Sequence, residues 1–421
     1  MNSWLNHRHS DAGLPDPNGL SVKKEISLQK TAAFYGVLIS FPLYLLIAYS
    51  TQRTQFLSLL LLLATLFAAW IIMLKDRHLP LRWLILAGLC YRALLLFSFP
   101  HLSDDIYRFV WDGALQNASL NPFAHTPAEI VSGDMPAGIS AQLFGKLNSQ
   151  EYFTVYPPVL QFIFRISTYL SSSWQVNSII MKCFIFFAEA GSIYLMTRLL
   201  PCLALPPRRV LIYALNPLVI TELCGNVHFE ALMIFFLLVA IWLLQRKRAV
   251  FSAIAFGFAV GSKLLPLIFL PLLVKRLGWR GSMQYFTLAG GTALLLFLPY
   301  LSHELITALY SSIGLYFHKF EFNASIYYLL RWAGFRLAGY NIIAIAGPLL
   351  GLTAAVSILM IALFAKRRGT AHLFRSMSWA LMAYLICSTI VHPWYITPLL
   401  AFSVFSGLRS PLLWSGLILL S

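Results

Sequence analysis

The chain has 421 residues, 59% of them apolar and only 11% charged, with a formal net charge of +16. A soluble domain carries roughly 25% charged residues, and so few charges could not cover the surface of a soluble protein of this length. The positive balance does not indicate nucleic acid, because the basic residues sit in short clusters between apolar runs, as in the cytoplasmic loops of membrane proteins.

The apolar runs have the length that crosses a bilayer as helix, and lipid offers the backbone no other way to satisfy its hydrogen bonds. The expected fold is all-α: a polytopic transmembrane helical bundle of about 11–13 spans. Residues 1–30 are polar, with Pro15, Pro17, Lys23, Lys24 and Lys30, and read as a cytoplasmic tail. Residues 31–421 read as a single transmembrane domain. Spans are expected at 31–50, 56–74 and 82–99, followed by a long polar stretch, 100–154. Further apolar runs cover 155–172, 176–200, 209–224, 229–245, 249–274, 283–300, 340–364, 374–391 and 394–408. After Arg409 the chain is apolar but too short to span, as in a truncated copy of a longer protein. The cysteines, Cys90, Cys183, Cys202, Cys224 and Cys387, are scattered and show no metal-ligand spacing.

Basic clusters orient the spans. Lys23/Lys24/Lys30, Lys75/Arg77/Arg82, Arg208/Arg209, Arg246/Lys247/Arg248, Lys275/Arg276/Arg280 and Lys366/Arg367/Arg368 are assigned to the cytoplasm. The stretch 100–154 then lies outside, with the turns at 225–230, 301–322 and 391–395. The interval from Arg248 to Lys275 has cytoplasmic anchors at both ends and is too short for two full spans. It fits two half-helices turning at 261–263, a break tolerated only where it lines a protein cavity. Residues 155–205 hold two apolar runs but must cross an odd number of times. Either one run is re-entrant or interfacial, with 155–172 the candidate because it contains Arg165, or Arg208/Arg209 is an exception to the charge rule.

By this topology the external stretches and their edges hold most of the carboxylates: Asp104, Asp105, Asp112, Glu129, Asp134, Glu151, Glu222, Glu230, Glu304 and Glu321. Acidic residues do not set topology, so their convergence is independent of the assignment. The densest cluster is SDDIYRFVWDG, 103–113. Asp104 suits a helix N-cap, or a general base at the membrane surface beside Asp105. Asp112 is placed for substrate contact, and Arg108 for an i,i+4 ion pair or a phosphate. His228 and Glu230 share one helix lip. Lys263 either snorkels or meets a phosphate. Arg331 is a further phosphate candidate, and His392, Trp394 and Tyr395 suit a sugar platform or an aromatic belt. Glu189, alone in an apolar run, is expected to bond another helix. No metal ligand set is assigned.

SDDIYRFVWDG followed by LNPFAHTP and TVYPPVLQFIF resembles the first external loop of the GT-C superfamily of polytopic glycosyltransferases. The nearest pattern is that of the GPI mannosyltransferase I catalytic subunit and of bacterial polyprenyl-phosphate-mannose-dependent mannosyltransferases. NPLVITELCGNVHFEALM, VGSKLLPLIFLP, FNASIYYLLR and HPWY continue the likeness in order, over most of the chain beyond residue 100. The resemblance implies a hexose, mannose by preference, moved from a polyprenyl phosphate sugar donor to a lipid or glycan acceptor on the non-cytoplasmic face, with inversion. It implies a loop aspartate as general base, Asp104 or its neighbour Asp105, and leaves open whether a divalent metal binds. The doublet departs from the aspartate-x-aspartate form of some relatives. The surroundings implied are those of a multi-pass protein of a bacterial plasma membrane. The rival class is a transporter or flippase of lipid-linked sugars, which would place its ionisable groups near the midplane and show internal repeats; no repeat is visible.

Overall fold

The computed structural model describes residues 17–133, 135, 136, 139–365 and 369–420. Asp134, the cluster Lys366/Arg367/Arg368 and residues 1–16 of the expected tail lie outside the described residues. The regular structure is helical. Among the described residues there is no strand, only an isolated parallel bridge between Phe322 and Ile390.

Helix α1 (Pro17–Tyr49) starts within the stretch expected to be a tail, at a proline whose missing N–H would have had no intrahelical partner there. It is followed by α2 (Phe56–Lys75) and α3 (Leu81–Leu94). One end of this trio is marked by Tyr49, whose hydroxyl donates to Leu94 O at 2.8 Å, and by an Arg53–Asp104 ion pair at 3.1 Å. There the chain forms α4 (Asp105–Asn117), α5 (Pro127–Ser132), α6 (Ala141–Phe144) and α7 (Pro158–Leu170), then enters α8 (Trp174–Cys202).

Helix α8 runs antiparallel to α3. Gln175 Nε2 donates to Phe97 O at 2.6 Å, and Lys182 Nζ to Leu95 O at 2.8 Å and Ser98 O at 2.6 Å. Glu189 meets Arg92, and beyond the helix Arg208 donates to Leu79 O at 2.8 Å and pairs with Asp76 at 3.3 Å. The chain therefore leaves α3 and enters α8 at the same end. Between these two points α7 adds no net passage from one end of the bundle to the other, and α8 alone makes it.

The next leg, 207–225, is broken into a 3₁₀ turn (Pro207–Val210), α9 (Leu211–Ala214), α10 (Pro217–Val219) and a π-helical turn (Ile220–Gly225). Asn216 caps α10, accepting from Val219 N at 3.3 Å, with Pro217 at the first position. The chain bends by 112° into α11 (Glu230–Gln245) and returns. Helix α12 (Ala249–Ser262) stops at Lys263, whose backbone is extended, and a 3₁₀ turn (Leu265–Phe269) leads into α13 (Leu270–Phe297). Helix α13 is kinked at Gly278, whose φ of +71° is costly for any side-chain-bearing residue. Just before the kink, Lys275 Nζ donates to Ala365 O at 3.0 Å and Arg276 Nη2 to Thr370 Oγ1 at 2.9 Å. The two half-legs joined at 261–263 thus start and finish at the same end.

The rest comprises α14 (His303–His318), α15 (Ile326–Leu337), α16 (Ile343–Phe364), α17 (Thr370–Cys387), α18 (Thr397–Ser406) and α19 (Ser410–Leu417). Among the described residues five helices are long and apolar enough to cross a membrane, or six if the bent pair around 226–229 is one span. They are Thr31–Tyr49, Phe56–Lys75, Trp174–Cys202, Leu265–Tyr300 and Ile343–Phe364. The other expected spans are shorter, less apolar or broken helices, so the helices long and apolar enough to cross are fewer than the 11–13 expected. The bundle is two-ended. Asp76–Arg208 and Arg276–Thr370 contacts gather basic clusters at one end; the loop 100–157 and the polar turns occupy the other.

Deep between the ends, Arg92 and Glu189 are fully buried. Arg92 Nε and Nη2 donate to one Glu189 oxygen at 3.0 and 2.9 Å, and Tyr213 donates its hydroxyl to the other. Arg92 Nη1 also donates to Ala214 O at 2.6 Å. The expected helix-to-helix role of Glu189 is therefore filled by an arginine. Removing one partner of a buried pair leaves an uncompensated charge, at a cost of about 3–5 kcal/mol. Arg92→Leu is predicted to lower the unfolding midpoint in detergent sharply, and the double variant Arg92→Leu/Glu189→Leu to recover part of the loss.

Candidate active site

The site is built outward from α4. A Cβ on Gly113 would lie 2.3 Å from Phe164 O, so the backbones of α4 and α7 touch and only glycine fits. One residue earlier, Asp112 is completely buried in the same seam. It accepts from Arg108 Nε at 2.8 Å, from Gln161 Nε2 at 2.8 Å and from the Thr154 hydroxyl. Arg108 Nη1 donates to Ser149 O at 3.0 Å and Tyr152 O at 2.9 Å. Arg108 and Asp112, expected to touch substrate, instead lock α4 to α7 and to the loop at 149–154. Arg108 makes the i,i+4 pair rather than a phosphate contact, because the buried carboxylate and two loop carbonyls take its donors.

The aspartate doublet divides at the start of α4. Asp104 accepts no cap hydrogen bond and turns outward to Arg53, with its side chain 45% exposed. Asp105 turns inward. It accepts from Asn148 Nδ2 at 3.1 Å, and its Oδ2 lies 3.9 Å from His228 Nε2.

His228 occupies the turn between the π-helical stretch and α11. Its Nδ1 lies 3.0 Å from Glu222 O and 3.1 Å from Glu222 Oε2. Its ring stacks on Trp394, with centroids 3.7 Å apart. Trp394 also stacks on His392 at 4.4 Å, and His392 on Phe322 at 5.0 Å. Phe322 reaches this position because its N–H donates to Thr389 O at 3.0 Å and its carbonyl accepts from Val391 N at 2.8 Å. Beside the ring column, Lys263 pairs with Glu230 and places Nζ 4.2 Å from the Tyr395 ring centre. Tyr395 meets both His392 and Trp394 edge-on.

The two histidines are shifted in opposite directions. Burial alone would lower the His228 pKa, but the hydrogen bond and charge of Glu222, with Glu230 and Asp105, outweigh it and raise the value. Burial, then the positive charges of His228 and Lys263, lowers His392 to about 3, so that ring is neutral. A carboxylate, a histidine whose pKa is raised, a lysine and a wall of stacked rings are thus assembled at one end of the bundle. Such a group can take a proton and oppose an anion. Among the described residues no three His, Cys, Asp or Glu side chains are grouped to hold a metal ion.

Of the candidates drawn from the sequence, Asp105, His228, Glu230, Lys263, His392, Trp394 and Tyr395 come together. Arg331 stands one layer away, paired with Glu321 at 3.4 Å, and joins the cluster only through the Glu321–Phe322 peptide. Glu222 was counted among the outward acids without being assigned to a site. Its position in the same polar run as His228 was the available signal. Phe322 opens the stretch FNASIYYLLR, whereas Arg53 and Asn148 carry no signal, since only tertiary contact brings them in.

Residues 32–278 match the family described as alpha-(1->6)-mannopyranosyltransferase, N-terminal domain. That stretch contains Asp104, Asp105, Glu222, His228, Glu230 and Lys263, while Phe322, His392 and Trp394 lie beyond it. The chain is also similar to alpha-(1->6)-mannopyranosyltransferase A of Mycobacterium tuberculosis (strain ATCC 25618 / H37Rv), 24% identical over 328 residues. The similarity covers 72% of this chain and 61% of that relative, so this chain spans less than two thirds of the relative's length.

The Gly113 contact gives the site a structural test. Gly113→Ala forces α4 off α7, and overpacking of this kind costs about 1–3 kcal/mol. The variant is predicted to unfold at lower temperature, whereas Gly145→Ala, where the nearest atom to a Cβ lies at 3.6 Å, leaves the midpoint close to that of the parent protein.

Proposed function

The chain belongs to the alpha-(1->6)-mannopyranosyltransferase family, and from that membership we propose that it transfers a mannosyl unit from a polyprenyl phosphate donor to a hydroxyl of a lipid or glycan acceptor. The observation that carries this reading is the inward turn of Asp105 toward a cluster that also holds Lys263 and the Trp394 ring column. Asp105 is the general base. As the acceptor oxygen attacks the anomeric carbon, its proton passes to the Asp105 carboxylate. The bond from that carbon to the phosphate oxygen breaks, and the electron pair leaves with the polyprenyl phosphate. Lys263 and His228 oppose the charge of the leaving phosphate. The faces of Trp394 are taken by His228 and His392, so the sugar is met by Tyr395, edge-on to that column. Glu230 holds Lys263 in position until the phosphate arrives.

Asp104 is the weaker of the two candidates for the base, because its partner Arg53 sits at the rim and its carboxylate faces solvent. The excess of basic residues at the far end supports an insertion that leaves this site on the non-cytoplasmic face.

Membranes supplied with a radiolabelled polyprenyl phosphate mannose give the test. General-base catalysis contributes about 10²–10⁴-fold. Asp105→Asn is predicted to lose at least about a hundredfold in rate, and Asp104→Asn less than about tenfold. Equal activity in Asp105→Asn and the parent would overturn the assignment. Arg53→Cys and His303→Cys are predicted to label from outside the cell and Lys247→Cys only after permeabilisation; the reverse pattern would place the site in the cytoplasm.

A further inference from the structure

Glu222 has no part in the reading above, yet it makes the closest polar contacts to His228. The His228 ring is almost wholly buried, with 3% of its side chain exposed. The atoms facing its Nδ1 are Glu222 O and Glu222 Oε2. A backbone carbonyl only accepts, so Nδ1 carries a proton in either charge state of the ring. The charge of His228 is therefore decided at Nε2. That atom is buried without a hydrogen-bond partner and lies 3.9 Å from Asp105 Oδ2. A lone pair there would face a carboxylate, whereas an N–H would be attracted to it.

Every element packed on the ring bears on this proton. Asp105 approaches from α4, Glu222 from the π-helical turn and Glu230 from the start of α11; His392, from the segment after α17, is neutral. Glu222 is the nearest of the carboxylates and the only one of them hydrogen-bonded to the ring.

We propose that Glu222 is a positioning residue which fixes the His228 ring and keeps it doubly protonated, with Nε2–H as a free, pre-aimed donor for a phosphate oxygen of the donor substrate beside Asp105. This rests on the transferase reading for the identity of the oxygen, but not for the proton. Trp394 completes the device by stacking on one face of the ring, which holds its plane and so the direction of Nε2. An unpaired buried Nε2–H is a cost that an incoming phosphate oxygen relieves, which turns the donor into binding selectivity for an anion.

The test reads the proton directly. The purified full chain in detergent, labelled with ¹⁵N-histidine, is titrated by NMR, and His228→Asn identifies the resonance. Glu222→Gln is predicted to lower the His228 pKa by about 1–3 units, the effect of removing an opposite charge in contact, while Glu222→Asp keeps most of the shift. In transfer assays the alkaline limb of the kcat/KM profile then moves to lower pH in Glu222→Gln, because the protonated ring is lost earlier as pH rises. An unmoved titration in a folded Glu222→Gln protein overturns the proposal. So does failure of both Glu222 variants to fold, which would mark the residue as purely structural. If the titration shifts as stated but the parent protein transfers no mannose, the proton assignment stands and the transferase reading fails.

Discussion

The ion pair between Arg92 and Glu189 sets the register on which the site depends. Burying two charges between helices is costly unless every remaining donor and acceptor finds a partner. Here Tyr213 takes the second oxygen of Glu189, and Ala214 O takes a third arginine nitrogen. One network therefore ties α3, α8 and α9 at a single height. A slip of one helical turn would unpair all of it, so the alternatives are excluded energetically. With that height set, Lys182 falls under the carbonyls of Leu95 and Ser98 and closes the end of α3 from which the loop departs.

The loop inherits its position from this frame and its rigidity from a second buried network. Asp112 and Arg108 fasten α4 against α7 and the segment 149–154, and the start of α4 then carries Asp105 to His228. The same short helix thus has a structural half and a chemical half. The chemical half receives contributions from three distant parts of the chain: the turn 222–230, the break at Lys263 and the segment 389–395. Each enters at a place where a helix is interrupted. Interruptions free backbone groups and re-aim side chains, and in a membrane protein they survive only where protein surrounds them.

Much of this was readable in advance for an identifiable reason. Lipid imposes helix on apolar runs, and basic clusters choose sides, so the two-ended bundle, the break at 261–263 and the convergence of acids followed from one-dimensional patterns. The individual duties within SDDIYRFVWDG did not follow. Whether Asp104, Asp105 or Asp112 faces the site depends on the rotation of α4, which is set by the contact of Gly113 with Phe164 O. Arg108 looked like a phosphate ligand because its partners at Ser149 and Tyr152 are remote in sequence. Phe322 reached the ring column through a two-bond bridge to 389–391 that no periodicity announces. The tail also began its helix earlier than its polarity suggested, at Pro17.

Helix α7 buries Gln161 and Phe164 against α4 and leaves Phe162, Tyr169 and Leu170 exposed on its other side. A short helix that shows such residues away from the protein is suited to rest at the acyl boundary of a lipid bilayer. Helix α4 is locked to it backbone to backbone, so a displacement of α7 is carried to Asp105. Thinning the membrane, or altering the lateral pressure near its headgroups, would then act on the gap between Asp105 and His228 as a mechanical input. The lipid would in this sense be part of the geometry of the site, in addition to being its solvent.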